Sequence, residues 1–178
     1  AMRTLSRQSG VRRNGVYLFG HSLGTLVAAR LAAQGQAQGQ TAGLILSAGP
    51  SGELLSVMEE QQIALQSLLF AGDIRGFEKA IRAFLLPFQQ VRDGEFATCP
   101  EGRCTTAENG VQLLDGQTLA FWRQAFNENM HDRLAQVPAR VPRFCLGGAS
   151  DWIVDAAHAR INCRTAHIVP EMDHFFAI

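Results

Sequence analysis

The segment Val16-Tyr17-Leu18-Phe19-Gly20-His21-Ser22-Leu23-Gly24 decides how this chain folds. Residues 16–19 are apolar and β-favouring, which predicts a strand, and residues 25–32 form an apolar run that predicts a buried helix. A G-x-S-x-G sequence between a strand and a helix is typical of a nucleophile elbow, a tight turn that holds a serine hydroxyl clear of the sheet edge. The small residues Gly20 and Gly24, two positions to either side of the serine, are expected to avoid clashes in that turn. Ser22 is therefore the candidate nucleophile.

The composition is that of a globular protein without excess charge. Of 178 residues, 47% are apolar and 18% are charged, and sixteen basic side chains balance sixteen acidic ones. This balance gives no reason to expect nucleic acid or an anionic membrane as a partner. No apolar run approaches the roughly twenty residues that span a bilayer. The histidine and cysteine spacings match no zinc pattern, so we expect neither a metal nor an organic cofactor.

Outside the elbow, strand-like and helix-like segments alternate at both ends of the chain. Buried strands are predicted at residues 16–19, 43–48, 143–148 and 165–169, with a short helix at residues 156–161. Such alternation implies an α/β fold with a parallel sheet of about four strands.

The middle of the chain has a different texture. Residues 53–137 carry leucines and phenylalanines at helical spacing and contain no convincing strand. We expect one helix from residue 54, one opened by Asp73 and ended by Pro87, and a third over residues 115–134. The predicted organisation is a core of residues 1–50 and 138–178, with a helical cap of residues 51–137 inserted between strands.

Two further side chains suit a serine nucleophile. Acyl transfer by serine needs a base to take the hydroxyl proton and a carboxylate to hold that base in the right tautomer. Asp151 follows a predicted strand that ends at Gly-Gly, and His174 follows the last strand. Asp155 competes with Asp151 for the role of the acid, but its position before the helix at residue 156 better suits capping.

The pattern G-H-S-x-G, then strand-G-G-x-x-D-x-x-V, then strand-x-x-x-x-D-H-F resembles the α/β-hydrolase superfamily, in particular its capped esterases and serine aminopeptidases. The resemblance implies that Ser22 is the nucleophile, His174 the general base and acid, and Asp151 the orienting carboxylate. It also implies that the backbone N–H of Leu23 is one oxyanion donor. His21 directly precedes Ser22, where we expect its ring to shape the elbow rather than react. Because cap helices roof this site in the family, the resemblance makes the cap aromatic residues Phe121 and Trp122 candidates for the substrate pocket. Trp152 is a further candidate because it stands beside Asp151.

The chain also departs from the family pattern. Only fifteen residues precede Val16, whereas the family places more than half of its sheet before the elbow. We therefore expect a partial α/β-hydrolase fold, from a truncated hydrolase or a fragment of a longer chain, without the loop that supplies the second oxyanion donor. Residues 16–19 would then form an exposed apolar edge, which favours pairing. We expect a homodimer, formed through this edge or through an exchanged cap.

Three functions remain open on the sequence. The leading interpretation is a serine hydrolase that cleaves small carboxylic esters through an acyl-enzyme, without a cofactor. An aminopeptidase acting on short peptides would need a cap carboxylate to hold the substrate amine, with Glu59, Glu60 and Glu78 as candidates. A catalytically inactive scaffold that binds a ligand or partner is the third interpretation.

The remaining histidines and the cysteines carry weaker predictions. Cys145 and Cys163 lie in or beside strands and are predicted to be buried thiols. Cys99 and Cys104 are close enough to form a small disulfide ring; pairing, which stays open, would indicate an oxidising compartment. The other histidines have no evident partner and are interpreted as structural: His131, His158 and His167.

Overall fold

The structure is a computed structural model that describes residues 2–5, 7–12, 15–34, 41–95 and 102–177. The chain divides into two compact units, the first formed by Ala1–Gly52 and Asn129–Ile178 and the second by Glu53–Glu128. In chain order the elements are α1 (Met2–Leu5), β1 (Val16–His21), α2 (Gly24–Ala33), β2 (Thr41–Ser47), α3 (Leu54–Leu69), α4 (Ile74–Arg92), β3 (Cys104–Thr106), β4 (Gln112–Leu114), β5 (Gln117–Thr118), α5 (Leu119–Phe126), α6 (Met130–Gln136), β6 (Arg143–Gly148), α7 (Ala156–Asn162) and β7 (Ala166–Val169).

The first unit is built on a parallel sheet of four strands in the order β1-β2-β6-β7. The expected α/β fold with a parallel sheet of about four strands is thus confirmed, with β1 at one edge of the sheet. The register places Phe19 beside Ile45 and Ile45 beside Phe144. Side chains alternate between the two faces along each strand, and residues paired in register on neighbouring strands point to the same face. These three residues therefore share one face of the sheet.

The helices of this unit cover the other face. Leu44, Leu46 and Cys145 form one buried cluster with residues of α2, α6 and α7. On the opposite face Tyr17, Phe19 and Phe144 are 63%, 58% and 41% exposed. Parallel sheets are usually covered on both faces. The described residues leave this aromatic face open to solvent.

A disulfide joins the sheet to the helix that follows β6. Cys145 and Cys163 are bonded, with Cα atoms 5.7 Å apart, so the prediction of two free thiols is wrong. The physical reason is that α7 runs back across the sheet, which returns the chain from the end of β6 to a point beside Cys145. A cross-link over 18 residues stabilises the fold by roughly 3 kcal/mol in the chain-entropy model. The Cys99–Cys104 pairing that the sequence leaves open involves Cys99, which lies outside the described residues.

The second unit contains a small antiparallel sheet in the order β3-β4-β5, so the prediction of an entirely helical insertion is wrong. Asp115 and Gly116 form the turn between β4 and β5 and both have positive φ, 49° and 74°. An Asp-Gly pair with this backbone is a favourable two-residue hairpin turn. The predicted helix over residues 115–134 therefore begins only after the hairpin.

That predicted helix is also interrupted. α5 ends at Phe126, and the Asn129 side chain caps α6 by accepting the N–H of His131 at 2.9 Å. Met130 is fully buried in the core of the first unit. Residues 129–137, predicted to belong to the cap, thus lie with the sheet. The Met130 N–H also donates to the Gly52 carbonyl at 3.1 Å, which joins the two points where the chain leaves and re-enters the first unit.

Pro87 lies inside α4 and does not end it, contrary to the prediction. Proline has no N–H to offer the carbonyl four residues earlier, here that of Ala83. The Arg103 guanidinium donates to this carbonyl at 3.1 Å and lies over the Phe84 ring at 5.7 Å. The carbonyl that proline leaves free is therefore satisfied by an arginine from outside the helix.

Within the described ranges, no helix has the length and hydropathy needed to cross a membrane. Over the same ranges, no group of three or more histidine, cysteine and acidic side chains could hold a metal ion.

Candidate active site

Ser22 sits in a strained turn between β1 and α2. Its φ of 52° lies in the left-handed region, which residues other than glycine rarely adopt. Two hydrogen bonds hold this conformation: the Ser22 N–H donates to the Ser47 carbonyl at 2.9 Å, and the Thr25 hydroxyl donates to the Ser22 carbonyl at 2.6 Å. The turn thus presents the serine side chain at the carboxyl end of the sheet.

Gly20 and Gly24 differ in how much space the turn leaves for a side chain. A Cβ at Gly20 would lie 2.5 Å from the Gly24 carbonyl oxygen and 2.7 Å from the Thr25 Cα, so only glycine fits there. A Cβ at Gly24 would meet no atom within 4 Å in the described part of the chain, apart from its chain neighbours and the backbone of its own helix. The expectation that both glycines avoid clashes therefore holds at Gly20 and is wrong at Gly24.

The structure pairs Asp151 with His174. Both residues are buried, at 7% and 5% exposure, and the His174 Nδ1 lies 2.9 Å from the Asp151 Oδ2. The other carboxylate oxygen accepts the N–H groups of Ile153 and Val154 at 2.9 and 2.8 Å. A carboxylate held by two backbone donors keeps its second oxygen aimed at the imidazole. The ring then carries its proton on Nδ1 and leaves Nε2 free to accept one.

The loop that carries His174 packs directly on the end of β6. A Cβ at Gly148 would overlap the Met172 carbonyl oxygen, and the Ser150 N–H donates to the same oxygen at 3.1 Å. This close approach brings the Asp151 and His174 segments together, although they are separated in sequence by 23 residues.

His21 connects the end of β1 to the loop that carries His174. Its Nε2 lies 2.8 Å from the His174 carbonyl oxygen, and the two imidazole centroids are 4.8 Å apart. Since His21 directly precedes Ser22, this contact holds the serine and the imidazole in one neighbourhood. Within the described residues, neither the Ser22 hydroxyl nor the Leu23 N–H has a hydrogen-bond partner.

The other candidate residues lie in different surroundings. Asp155 caps α7 by accepting the Ala157 N–H at 2.7 Å, so it does not approach His174 as Asp151 does. Trp152, next to Asp151, is 56% exposed. Phe121 and Trp122 belong to the second unit, where Trp122 is buried and its indole N–H donates to the Leu114 carbonyl at 2.7 Å.

Sequence reasoning missed one polar cluster near the end of β2. His158 accepts the N–H of Ser51 at 3.1 Å, and its ring also lies 2.6 Å from the Ser51 hydroxyl. The buried Asn162 amide donates to the carbonyls of Gly49 and Pro50. His158 and Asn162 stand four residues apart on α7, a spacing that places both on one helix face. That spacing is the sequence signal from which the cluster could have been predicted. The cluster holds residues 49–51 against α7.

Comparison with known proteins matches no family model and no curated protein. Several solved structures are similar over nearly the whole chain. Est1E from Butyrivibrio proteoclasticus has a TM-score of 0.54 at 15% identity and is matched over 99% of this chain and 59% of its own. The esterase domain of a Rhodothermus marinus protein gives 0.49 and 14%, over 99% and 58%. An alpha/beta fold family hydrolase from Bacillus anthracis gives 0.46 and 16%, over 89% and 60%.

Two facts follow from these matches. The chain spans about 60% of the length of the solved structures that it resembles. At these identities the likeness concerns the fold alone, which agrees with the parallel sheet found here. The chain has a partial α/β-hydrolase fold.

Proposed function

We propose that this chain is a serine hydrolase that cleaves small carboxylic esters through an acyl-enzyme intermediate. The observation that carries the proposal is the buried pair of Asp151 and His174, which His21 links to the turn of Ser22. A hydroxyl, an imidazole and a carboxylate in this order are the groups that acyl transfer by serine requires.

In the proposed reaction, the Ser22 Oγ attacks the carbonyl carbon of the ester while its proton passes to the His174 Nε2. The bond from that carbon to the alcohol oxygen then breaks, and His174 returns the proton to the departing alcohol. Water repeats the sequence on the acyl-serine, which yields the acid and restores the hydroxyl of Ser22. Asp151 keeps the proton on Nδ1 and stabilises the imidazolium while it exists.

The negative charge on the carbonyl oxygen also needs donors. The N–H of Leu23, at the N-terminal end of α2, has no partner among the described residues and is the proposed first donor. One absent oxyanion donor typically costs about 10²–10³-fold in rate. If no second donor reaches the carbonyl oxygen, we therefore expect this chain to hydrolyse esters at a correspondingly lower kcat.

Turnover and covalent labelling of the full chain test this proposal. We expect the chain to release p-nitrophenol from p-nitrophenyl acetate and butyrate and to bind one fluorophosphonate per chain. Ser22→Ala should abolish labelling and lower kcat/KM by about 10⁴-fold or more, since removing the nucleophile of a serine hydrolase disables the whole triad. Ser67→Ala, an exposed serine on α3, is the matched control and should behave as the parent chain.

Other outcomes of the same assays select the other functions. Faster release from amino-acid nitroanilides than from esters would indicate an aminopeptidase. A well-folded chain that neither turns over esters nor labels would be an inactive scaffold. Labelling that persists in Ser22→Ala would refute the assignment of the nucleophile.

A further inference from the structure

The residue before the nucleophile does more than complete the turn. We propose that His21 is a positioning residue, whose imidazole holds the main chain of His174 and so sets the distance between base and nucleophile. This inference rests on the proposed function, because it assigns a role within the same site.

The contacts of His21 are specific in chemistry. Its Nε2 lies 2.8 Å from the His174 carbonyl oxygen. A carbonyl can only accept, so the Nε2 of His21 must carry a proton and donate it. The ring also packs against the imidazole of His174 and the ring of Phe176, each with its centroid at 4.8 Å.

The main chain of His174 depends on this bond. In the described part of the chain, the N–H and the carbonyl of His174 make no other hydrogen bond. The residues around it are held separately: the Asp173 carboxylate accepts the N–H groups of Phe175 and Ala177. The His21 bond therefore links the base to the strand that ends at the nucleophile.

Such a link matters because transfer of a proton from serine to imidazole is sensitive to small displacements. A misplacement of about 1 Å can cost about 10²-fold in rate. The Asp151 bond fixes the orientation of the ring, whereas the His21 bond fixes the backbone from which the ring projects. The two contacts constrain different degrees of freedom.

Two substitutions separate the donor from the ring. His21→Phe keeps an aromatic ring against His174 and Phe176 and removes the donor. His21→Gln removes the ring and supplies an amide N–H at about the reach of Nε2. His167→Phe, which changes an exposed histidine on β7, controls for the added phenylalanine.

The test compares kcat and KM for p-nitrophenyl butyrate, and amide hydrogen exchange over residues 170–177, between these variants and the parent chain. His21→Phe should lower kcat by about 10–100-fold with KM within about twofold, since the loss falls on the reaction step. It should also speed exchange in this segment. His21→Gln should recover most of both properties, and His167→Phe should change neither.

Two results would overturn the inference. The first is His21→Phe with the parent kcat and exchange, and the second is His21→Gln as impaired as His21→Phe, which would assign the effect to ring packing. If the parent chain hydrolyses no ester, the proposed function fails, and the exchange measurement still decides whether His21 holds this segment.

Discussion

At the scale of single residues, glycine is required where two backbone segments meet under the candidate base. A Cβ at Gly148 would overlap the Met172 carbonyl, so Gly148→Ala must push away the loop that carries His174. We expect kcat/KM to fall by about 10²-fold in a chain that still folds, since the displacement affects alignment more than the core. Ester hydrolysis and thermal unfolding of the same variant check both parts.

The neighbouring glycine provides the control for that experiment. A Cβ at Gly147 would lie 3.2 Å from the flexible end of the Ile168 side chain and 3.3 Å from the Ala159 Cβ. Gly147→Ala should therefore cost a little stability and leave hydrolysis close to that of the parent chain. Equal activity in the two variants would mean that the contact with Met172 does not position the base.

At the scale of elements, the proline in α4 is tolerated because an arginine replaces its missing hydrogen bond. Arg103 donates to the Ala83 carbonyl that Pro87 leaves free. We expect Arg103→Ala to lower the free energy of unfolding by about 1 kcal/mol, the size of one net hydrogen bond for a side chain largely in solvent. The same substitution should cost almost nothing in a Pro87→Ala chain, because the alanine introduced there supplies a backbone N–H that donates to the carbonyl of Ala83.

Urea unfolding of the parent, the two single variants and the double variant measures this coupling. If Arg103→Ala costs the same with and without the proline, the arginine acts through the Phe84 ring or the loop and not through the freed carbonyl.

At the scale of the whole molecule, the edge and outer face of the sheet invite association. Among the described residues β1 has a neighbour on one side only, and Tyr17 and Phe19 are exposed beside that edge. We propose a homodimer in which the β1 edges of two chains pair. Sedimentation should give twice the chain mass, with slow amide exchange over residues 16–19. Phe19→Lys should give monomers, because a charge on an edge strand opposes pairing.

The dimer experiment also has a matched control. Val27 is an exposed apolar residue on α2, and Val27→Lys adds the same charge away from the edge. This variant should remain dimeric. A parent chain that sediments as a monomer and exchanges its β1 amides rapidly would contradict the proposal.

The sequence predicted what depends on local pattern. The strand, glycine turn and helix around Ser22 follow each other without interruption, so periodicity and spacing were enough. Gly147-Gly148 before Asp151 marked a strand end in the same way. For the same reason the Asp-Gly pair at residue 115 was a usable hairpin signal, and the helical texture around it concealed that signal.

The sequence could not predict contacts that depend on how the chain returns on itself. The disulfide of Cys145 with Cys163 requires the course of α7 along the sheet. The contact of Arg103 with the carbonyl before Pro87 joins groups 20 residues apart. The bond from His21 to His174 spans 153 residues and becomes visible only when the sheet is assembled.

The hydrogen bond from the Met130 N–H to the Gly52 carbonyl has a consequence for how such a chain can evolve. It means that the intervening residues leave and re-enter the sheet unit at adjacent points. An insertion of different length or sequence could therefore take their place without displacing any strand of the sheet. Because Ser22, Asp151 and His174 all lie outside that stretch, an exchange of the whole inserted unit leaves these three candidate site residues in place.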